Sequence, residues 1–212
     1  MGTKERILEA ADELFGEVGF DGASTRKIAA RSGANKALIH YHFKTKEGLL
    51  GSVLDRYYQR LGDTLSQSIA QSNTLRERIA AMIEAYSDFL SRNRNFSRIV
   101  QRESSGGKNL ERIGRHMKPL FETGRELMDE TYPGIQNTDM AASQLLITFY
   151  GMIVSYFSYS EVLSHLLDTD PLSPESLARR KKHVHGLMDI VFAAIAKYEV
   201  PQTERQHEIK QQ

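Results

Sequence analysis

Residues 22–47 read GASTRKIAARSGANKALIHYHFKTKE. From Gly22 to Lys46 there is no acidic side chain, while Arg26, Lys27, Arg31, Lys36, Lys44 and Lys46 carry positive charge. Asp21 and Glu47 close the window. The whole chain is nearly neutral, with 28 Lys and Arg against 27 Asp and Glu, so the charge is local. The same window reads as two short helices about a glycine turn. Ser24 is placed to cap a helix from Thr25 to about Ser32, with Ile28 and Ala29 inward, and Gly33 ends it. The next helix starts at Asn35 or Lys36 and runs to His42. Positive charge gathered on a helix-turn-helix is the footprint of a surface that meets DNA phosphates, its second helix lying in the major groove. Lys27 and Arg31 suit a phosphate or plain solvent equally.

At about 100° per residue from Lys36, His40 falls near 40°, Ala37 near 100° and Tyr41 near 140°. Leu38, Ile39 and Phe43 cover roughly 200–340°, an apolar face that packs inward. His42, near 240°, falls on that inward side. Ala37 leaves room for a base edge or thymine methyl, Lys36 can donate to guanine or phosphate, and His40 and Tyr41 suit a backbone wall. Lys44 and Lys46 flank the Thr45 cap of the next helix, where the macrodipole disfavours positive charge. A phosphate at that helix end would resolve the conflict.

Outside this window the pattern stays helical, and an all-α chain of about nine helices is expected. The first runs from a Thr3 cap, with Ile7, Leu8, Ala11, Leu14, Phe15 and Val18 on one face. It stops at Gly19, with Phe20 packing back. The helix capped by Thr45 extends towards Ile69. Thr74-Leu75-Arg76-Glu77 is a capping-box pattern that starts the next. A short helix spans Phe96–Glu103, then a loop over 104–107, and Leu110–Thr131 carries an irregularity at Pro119. One long apolar helix is expected from Thr138 to about Leu167, and a last one follows Ser173-Pro174-Glu175 to near Tyr198. Residues 199–212 form a polar tail.

Composition removes several classes of chemistry. There is no cysteine, hence no disulfide, thiolate metal site or cysteine nucleophile, which fits a reducing cytosol. No apolar signal core follows the amphipathic N-terminus. Leu145–Ser160 is uncharged but shorter than the roughly 20 residues of a membrane span, and reads as a helix buried on several sides. His40 and His42, like His183 and His185, point about 200° apart and cannot share a metal. No phosphate-binding loop, nucleophile elbow or catalytic constellation is visible, so neither an enzyme nor a cofactor is expected. The 104–107 stretch is an interhelix loop before it is an anion nest.

Residues 24–33 and 36–47, with the preceding Phe15-Gly16-Glu17-Val18-Gly19-Phe20, closely resemble the DNA-binding domain of the TetR family of bacterial transcriptional repressors. The break, helix and loop over 93–107 resembles the small-metabolite sensors that include the pyrimidine-responsive RutR type. The resemblance implies that Arg26 contacts a base edge and Thr25 a phosphate. Lys36 and Ala37 would read bases, and His40, Tyr41, His42 and Lys46 would grip phosphates. His40 stands where the family usually has tyrosine. The domains would be 1–48 for DNA, 49–198 for effector binding and dimerisation, and the 199–212 tail. Tyr86, Phe89, Arg98, Gln101, Arg102, His116, Phe121, Tyr150 and Tyr156 are the candidates for a pocket. The implied protein is a cytoplasmic homodimer joined through its last two helices, which cover the apolar helix. It would bind a palindromic double-stranded operator and leave it on taking up a small molecule, the fourth helix acting as lever. A structural or partner-binding protein on the same scaffold, without an effector, is the alternative.

Overall fold

The computed structural model describes residues 2–70, 72–104 and 109–198. The 105–107 part of the expected loop and the 199–212 tail lie outside the described residues. Ten α-helices and one short 3-10 turn are present among them, with no strand. The chain divides into two compact units, Met1–Ser66 with Asp88–Met117, and Gln67–Ser87 with Lys118–Gln212.

The first unit holds α1 (Thr3–Gly22), α2 (Thr25–Ser32), α3 (Lys36–Phe43), most of α4 (Lys46–Ile69), α6 (Arg94–Ser104) and parts of α5 (Leu75–Arg92) and α7 (Leu110–Thr131). Ile7, Ala11, Leu14 and Phe15 of α1 are buried together with Ile28, Ile39, Phe43, Leu49, Leu50, Val53 and Leu54. α1 packs against α2, α3 and α6. Isolated helices below about 12–15 residues are marginal in water, so the eight-residue α2 and α3 depend on this core. Each buried Ile or Phe contributes about 1.5–3 kcal/mol.

Thr3 does not cap α1, which begins at Thr3 itself with Gly2 before it and no side-chain cap bond, whereas the other expected caps form. Ser24 Oγ accepts from the Lys27 amide at 3.2 Å, and Gly33 closes α2 at φ 63°. Thr45 Oγ1 accepts from Gly48 at 2.9 Å to open α4. At the start of α5, Thr74 and Glu77 exchange hydrogen bonds of 3.2 and 3.0 Å, and Asn73 N–H adds a third at 2.8 Å. The helical assignment of α1 continues to Gly22, past the expected stop. Its helical path is nevertheless broken at Gly19, whose φ of 73° and ψ of 176° suit only glycine. Phe20 packs back on Phe15 with ring centres 5.8 Å apart.

A half-buried carboxyl fastens α1 to α4. Tyr57 OH lies 2.7 Å from both oxygens of Asp12. Burial pushes the Asp12 carboxyl above its ordinary value, against the lowering effect of Tyr57, Arg56 and Asn95. Burial beside Asp12 also pushes the Tyr57 phenol up and keeps it a donor. A carboxyl raised in the folded state binds more protons there than in the unfolded chain. Its contribution is therefore complete below the unfolded pKa and lost as pH rises through the native one. Asp12→Asn cannot ionise, so its stability relative to the parent should improve from pH 4 to pH 7 in urea unfolding. Parallel pH profiles would remove Asp12 from this role.

The second unit contains the other parts of α4, α5 and α7, the 3-10 turn Pro133–Ile135, α8 (Ala142–Ser158), α9 (Ser160–Leu167) and α10 (Pro174–Ile195). Met128, Ile135, Ala142, Leu145 and Ile195 form its core cluster. Glu84 of α5 joins Lys181 at 2.8 Å and His185 at 2.7 Å on α10. Ser173 caps α10, with Pro174 in its first turn. α7 runs through Pro119 as one helix, and the division between units falls at 117/118.

The single helix expected over 138–167 is corrected. α8 begins only at Ala142, and the chain bends by 76° between α8 and α9 at Tyr159. No glycine or proline marks the bend. Ser155, Ser158 and Ser160 surround it, and serine competes for backbone hydrogen bonds and weakens a helix. Tyr159 sits at φ −106°, ψ 21°, in the sparsely populated bridge region. Among the described residues no single helix is long and apolar enough to cross a membrane, although the bent α8–α9 pair passes that test on composition.

Candidate nucleic-acid interface

α3 presents two unlike faces. Ile39 and Phe43 are 2% and 5% exposed, whereas Lys36, Ala37, His40, Tyr41 and His42 are exposed. Leu38, expected inward, keeps 39% of its surface in water. His42 also departs from the helical wheel. Lys44, at φ 64° and ψ −56°, ends the helix with its N–H on His40 O at 2.9 Å. No further turn covers His42, so it faces out. Tyr41 is 71% exposed, and its ring meets His42 edge-on at 5.1 Å and Lys44 Nζ at 5.8 Å. The end of α3 is thus an aromatic and cationic cluster that the local core does not use. Asn35 Oδ1 caps α3 from the Ala37 amide at 2.9 Å.

The six basic residues divide by partner. Arg31 is paired with Glu17 at 2.8 Å and Glu13 at 3.5 Å, and Lys27 Nζ donates to Gly22 O at 3.2 Å. Both are thus tied to α1 rather than projecting freely. Arg26, exposed in the first turn of α2, and Lys36 make no hydrogen bond or ion pair with the described residues. Thr25, half-buried, opens α2 beside Arg26.

Lys46 has long-range partners. Its Nζ donates to Phe20 O at 2.9 Å and Ala23 O at 3.0 Å, and lies 4.1 Å from the Phe20 ring centre. Two of its three N–H donors are thereby engaged at the end of α1, which also answers its misfit with the α4 dipole. Arg102 does the same upstream of Gly19, with Nη1 on Phe15 O at 3.2 Å and Gly16 O at 3.4 Å. Positive charge on carbonyls at the end of a helical segment is favourable. These two attachments join residues far apart in sequence, so no local pattern marks them.

The candidate pocket residues fall into separate groups. Tyr86, Phe121 and Tyr150 meet in the second unit, Tyr150 lying 6.5 Å from Tyr86 and 6.2 Å from Phe121 between ring centres. Tyr156, in the same unit, is held by Pro171 O at 2.7 Å. Phe89, Gln101, Arg102 and His116 belong to the first unit. There Phe89 packs edge-on against Phe96 at 5.7 Å, and Gln101 is half-buried on α6. His116 meets Asp55 at 2.8 Å and stacks on Tyr58 at 4.8 Å, and Arg112 holds the other Asp55 oxygen at 2.6 Å. No group of three or more metal-ligating side chains occurs among the described residues.

Residues 7–53 match the family described as "Bacterial regulatory proteins, tetR family", and residues 76–188 match "Tetracyclin repressor-like, C-terminal domain". The chain belongs to the TetR family. Among curated relatives, it is 30% identical over 95 residues to the HTH-type transcriptional activator FasR of Mycolicibacterium smegmatis, covering 45% of this chain and 43% of that protein. It is 49% identical over 55 residues to the HTH-type transcriptional repressor Rv3405c of Mycobacterium tuberculosis, covering 26% and 29%. The matched stretch thus spans less than half the length of each. Similar solved structures include AibR in complex with isovaleryl coenzyme A and operator DNA, with TM-score 0.71, 17% identity and coverage of 88% and 97%. Another is FadR from Bacillus subtilis in complex with stearoyl-CoA, with TM-score 0.67, 21% identity and coverage of 87% and 96%. At these identities the likeness is one of fold.

Proposed function

We propose that this TetR-family chain is a DNA-binding transcriptional repressor that reads a palindromic operator as a homodimer and is released by a small-molecule effector. The observation that carries the reading is the exposed, acid-free face of α3 set on a buried heel of Ile39 and Phe43. α3 enters the major groove, Lys36 and Ala37 meet base edges, and His40, Tyr41 and His42 line the backbone. Arg26 reaches a base edge and Thr25 a phosphate, while Lys46 has one N–H left for a phosphate. Selection from random double-stranded fragments should return an inverted repeat with half-sites one helical turn or a multiple apart, and an affinity that falls steeply with salt. Salt-insensitive binding, or enrichment of no sequence, would sink the reading.

Arg26 separates base reading from phosphate gripping. Arg26→Ala should weaken operator binding by about 1–3 kcal/mol and relax preference at one base pair. An equal loss on every sequence would make Arg26 a phosphate contact instead.

Two-fold pairing is supported by exposed faces in the second unit. On α8 Gln144, Ile147, Thr148, Gly151 and Ser155 share one exposed stripe, and on α10 Gly186, Ile190 and Ala193 share another. Ile147 and Ile190 are 55% and 66% exposed. No heavy atom lies near where a side chain at Gly151 or Gly186 would begin, so a partner helix can approach closely. Pairing these stripes with their copies gives a four-helix arrangement.

Release requires the effector to favour a head spacing that misfits the operator. The neighbours solved with coenzyme A thioesters make that class the first to try. A thermal-shift screen followed by operator release with each hit tests it; hits that stabilise the protein but leave the operator bound would favour a regulator without this switch.

A further inference from the structure

A guanidinium removed from water needs a carboxylate, a phosphate or several carbonyls to replace its hydration. Arg180 in the second unit is half-buried and falls short of this at its sheltered Nε. It lies on α10 four and eight residues before the buried Val184 and Met188, so its stem belongs to the core-facing row. Its Nη2 donates to Met152 O on α8 at 2.7 Å, and its Cζ lies 5.1 Å from the Tyr156 ring centre. Its Nε is buried with no acceptor. Neighbouring charges on α10 are matched elsewhere, Arg179 with Glu175 and Lys181 with Glu84, and no ion pair reaches Arg180. Burial pushes its guanidinium below the ordinary value, as expected of a cation lacking an anion.

We infer that Arg180, with the Tyr156 ring beside it, is an anion-binding position that takes the carboxylate or phosphate of an amphiphilic small molecule. The guanidinium fork fits two oxygens of one anion side by side, and an aromatic face holds its plane. One carbonyl satisfies a single N–H and leaves the Nε donor unmet. A bound oxyanion supplies the missing acceptor. The inference deepens the effector reading above and rests on it.

The test uses the full chain and four probes: stearate, stearoyl-CoA, isovaleryl-CoA and the neutral stearyl alcohol. At least one anionic probe should bind the wild type, measured by calorimetry, and stearyl alcohol should bind at least about tenfold more weakly. Binding of stearate alone identifies a fatty carboxylate as the source, and binding of the thioesters alone identifies coenzyme A phosphates. Arg180→Met should weaken the anionic probe by about tenfold or more and leave stearyl alcohol unaffected. Arg180→Gln provides the same affinity comparison if the methionine variant does not fold. A lowered melting temperature with unchanged anion affinity would make Arg180 a clamp on α8 and overturn the inference, as would failure of every anionic probe to bind. Operator release by a probe indifferent to Arg180 would overturn it while keeping the effector reading. Binding through Arg180 without operator release would do the reverse.

Discussion

Ile190→Arg leaves the helices formed and lowers operator affinity by about a hundredfold or more. Ile190 is 66% exposed on α10 and lies in one stripe with Gly186 and Ala193, so the substitution disturbs no core of its own unit. In the proposed paired state the same position is covered. A guanidinium placed there is desolvated opposite its own copy, and it forfeits the roughly 1.5–3 kcal/mol that each isoleucine contributes when buried. Loss of pairing converts two linked half-site contacts into independent ones, and linkage of this kind is worth about 10²–10⁴ in affinity. Sedimentation should show a monomer at micromolar concentration, and a gel shift should show the weakened operator complex. A dimer that still binds normally would move the two-fold interface away from α10.

Lys46→Ala should destabilise the first unit by about 2–4 kcal/mol. Its ammonium donates to Phe20 O and Ala23 O at 2.9 and 3.0 Å over the Phe20 ring. Hydrogen bonds from a charged donor contribute about 1.5–3 kcal/mol each, and partial exposure brings the pair to the lower end. The Ala23 and Phe20 carbonyls would be left to water at the point where α1 hands the chain to α2. Operator binding should then fall on all sequences alike, because α2 and α3 lose their seat together. Urea unfolding reads the first effect and the salt dependence of binding reads the mechanism. A salt slope smaller by about one, with unchanged stability, would make Lys46 purely a phosphate contact.

The helix-turn-helix was legible because its determinants are local. Ser24, Gly33, Asn35 and Thr45 each act within four residues of themselves, and the i, i+4 pair Ile39 and Phe43 defines the buried face of α3. What escaped the sequence depends on where the pattern ends or what lies far away. A helical wheel turns without limit, so it put His42 inward, whereas α3 stops two residues later at Lys44. The bend at Tyr159 has only serines beside it, a signal too weak against a strongly apolar run. The pocket candidates were aromatic and polar side chains at helical spacing. That spacing cannot tell Phe89, packed on Phe96, from Tyr150, grouped with Tyr86 and Phe121. The misfit of a lysine at the start of α4 is met by carbonyls 23 and 26 residues upstream, beyond the reach of any local pattern.

The break at Gly19 leaves α1 in two pieces, the first held by α6 and, through Tyr57 on Asp12, by α4, and the second held by Lys46 of α4. Arg102 of α6 grips the carbonyls before it, and Lys46 of α4 grips those after it. Motion of α6 alone would therefore be absorbed by torsion at a residue with no side chain, much as a swivel isolates a lamp from its cord. Motion of α4 acts on both sides of the swivel, through Tyr57 before it and through Lys46 directly on the piece that leads into α2.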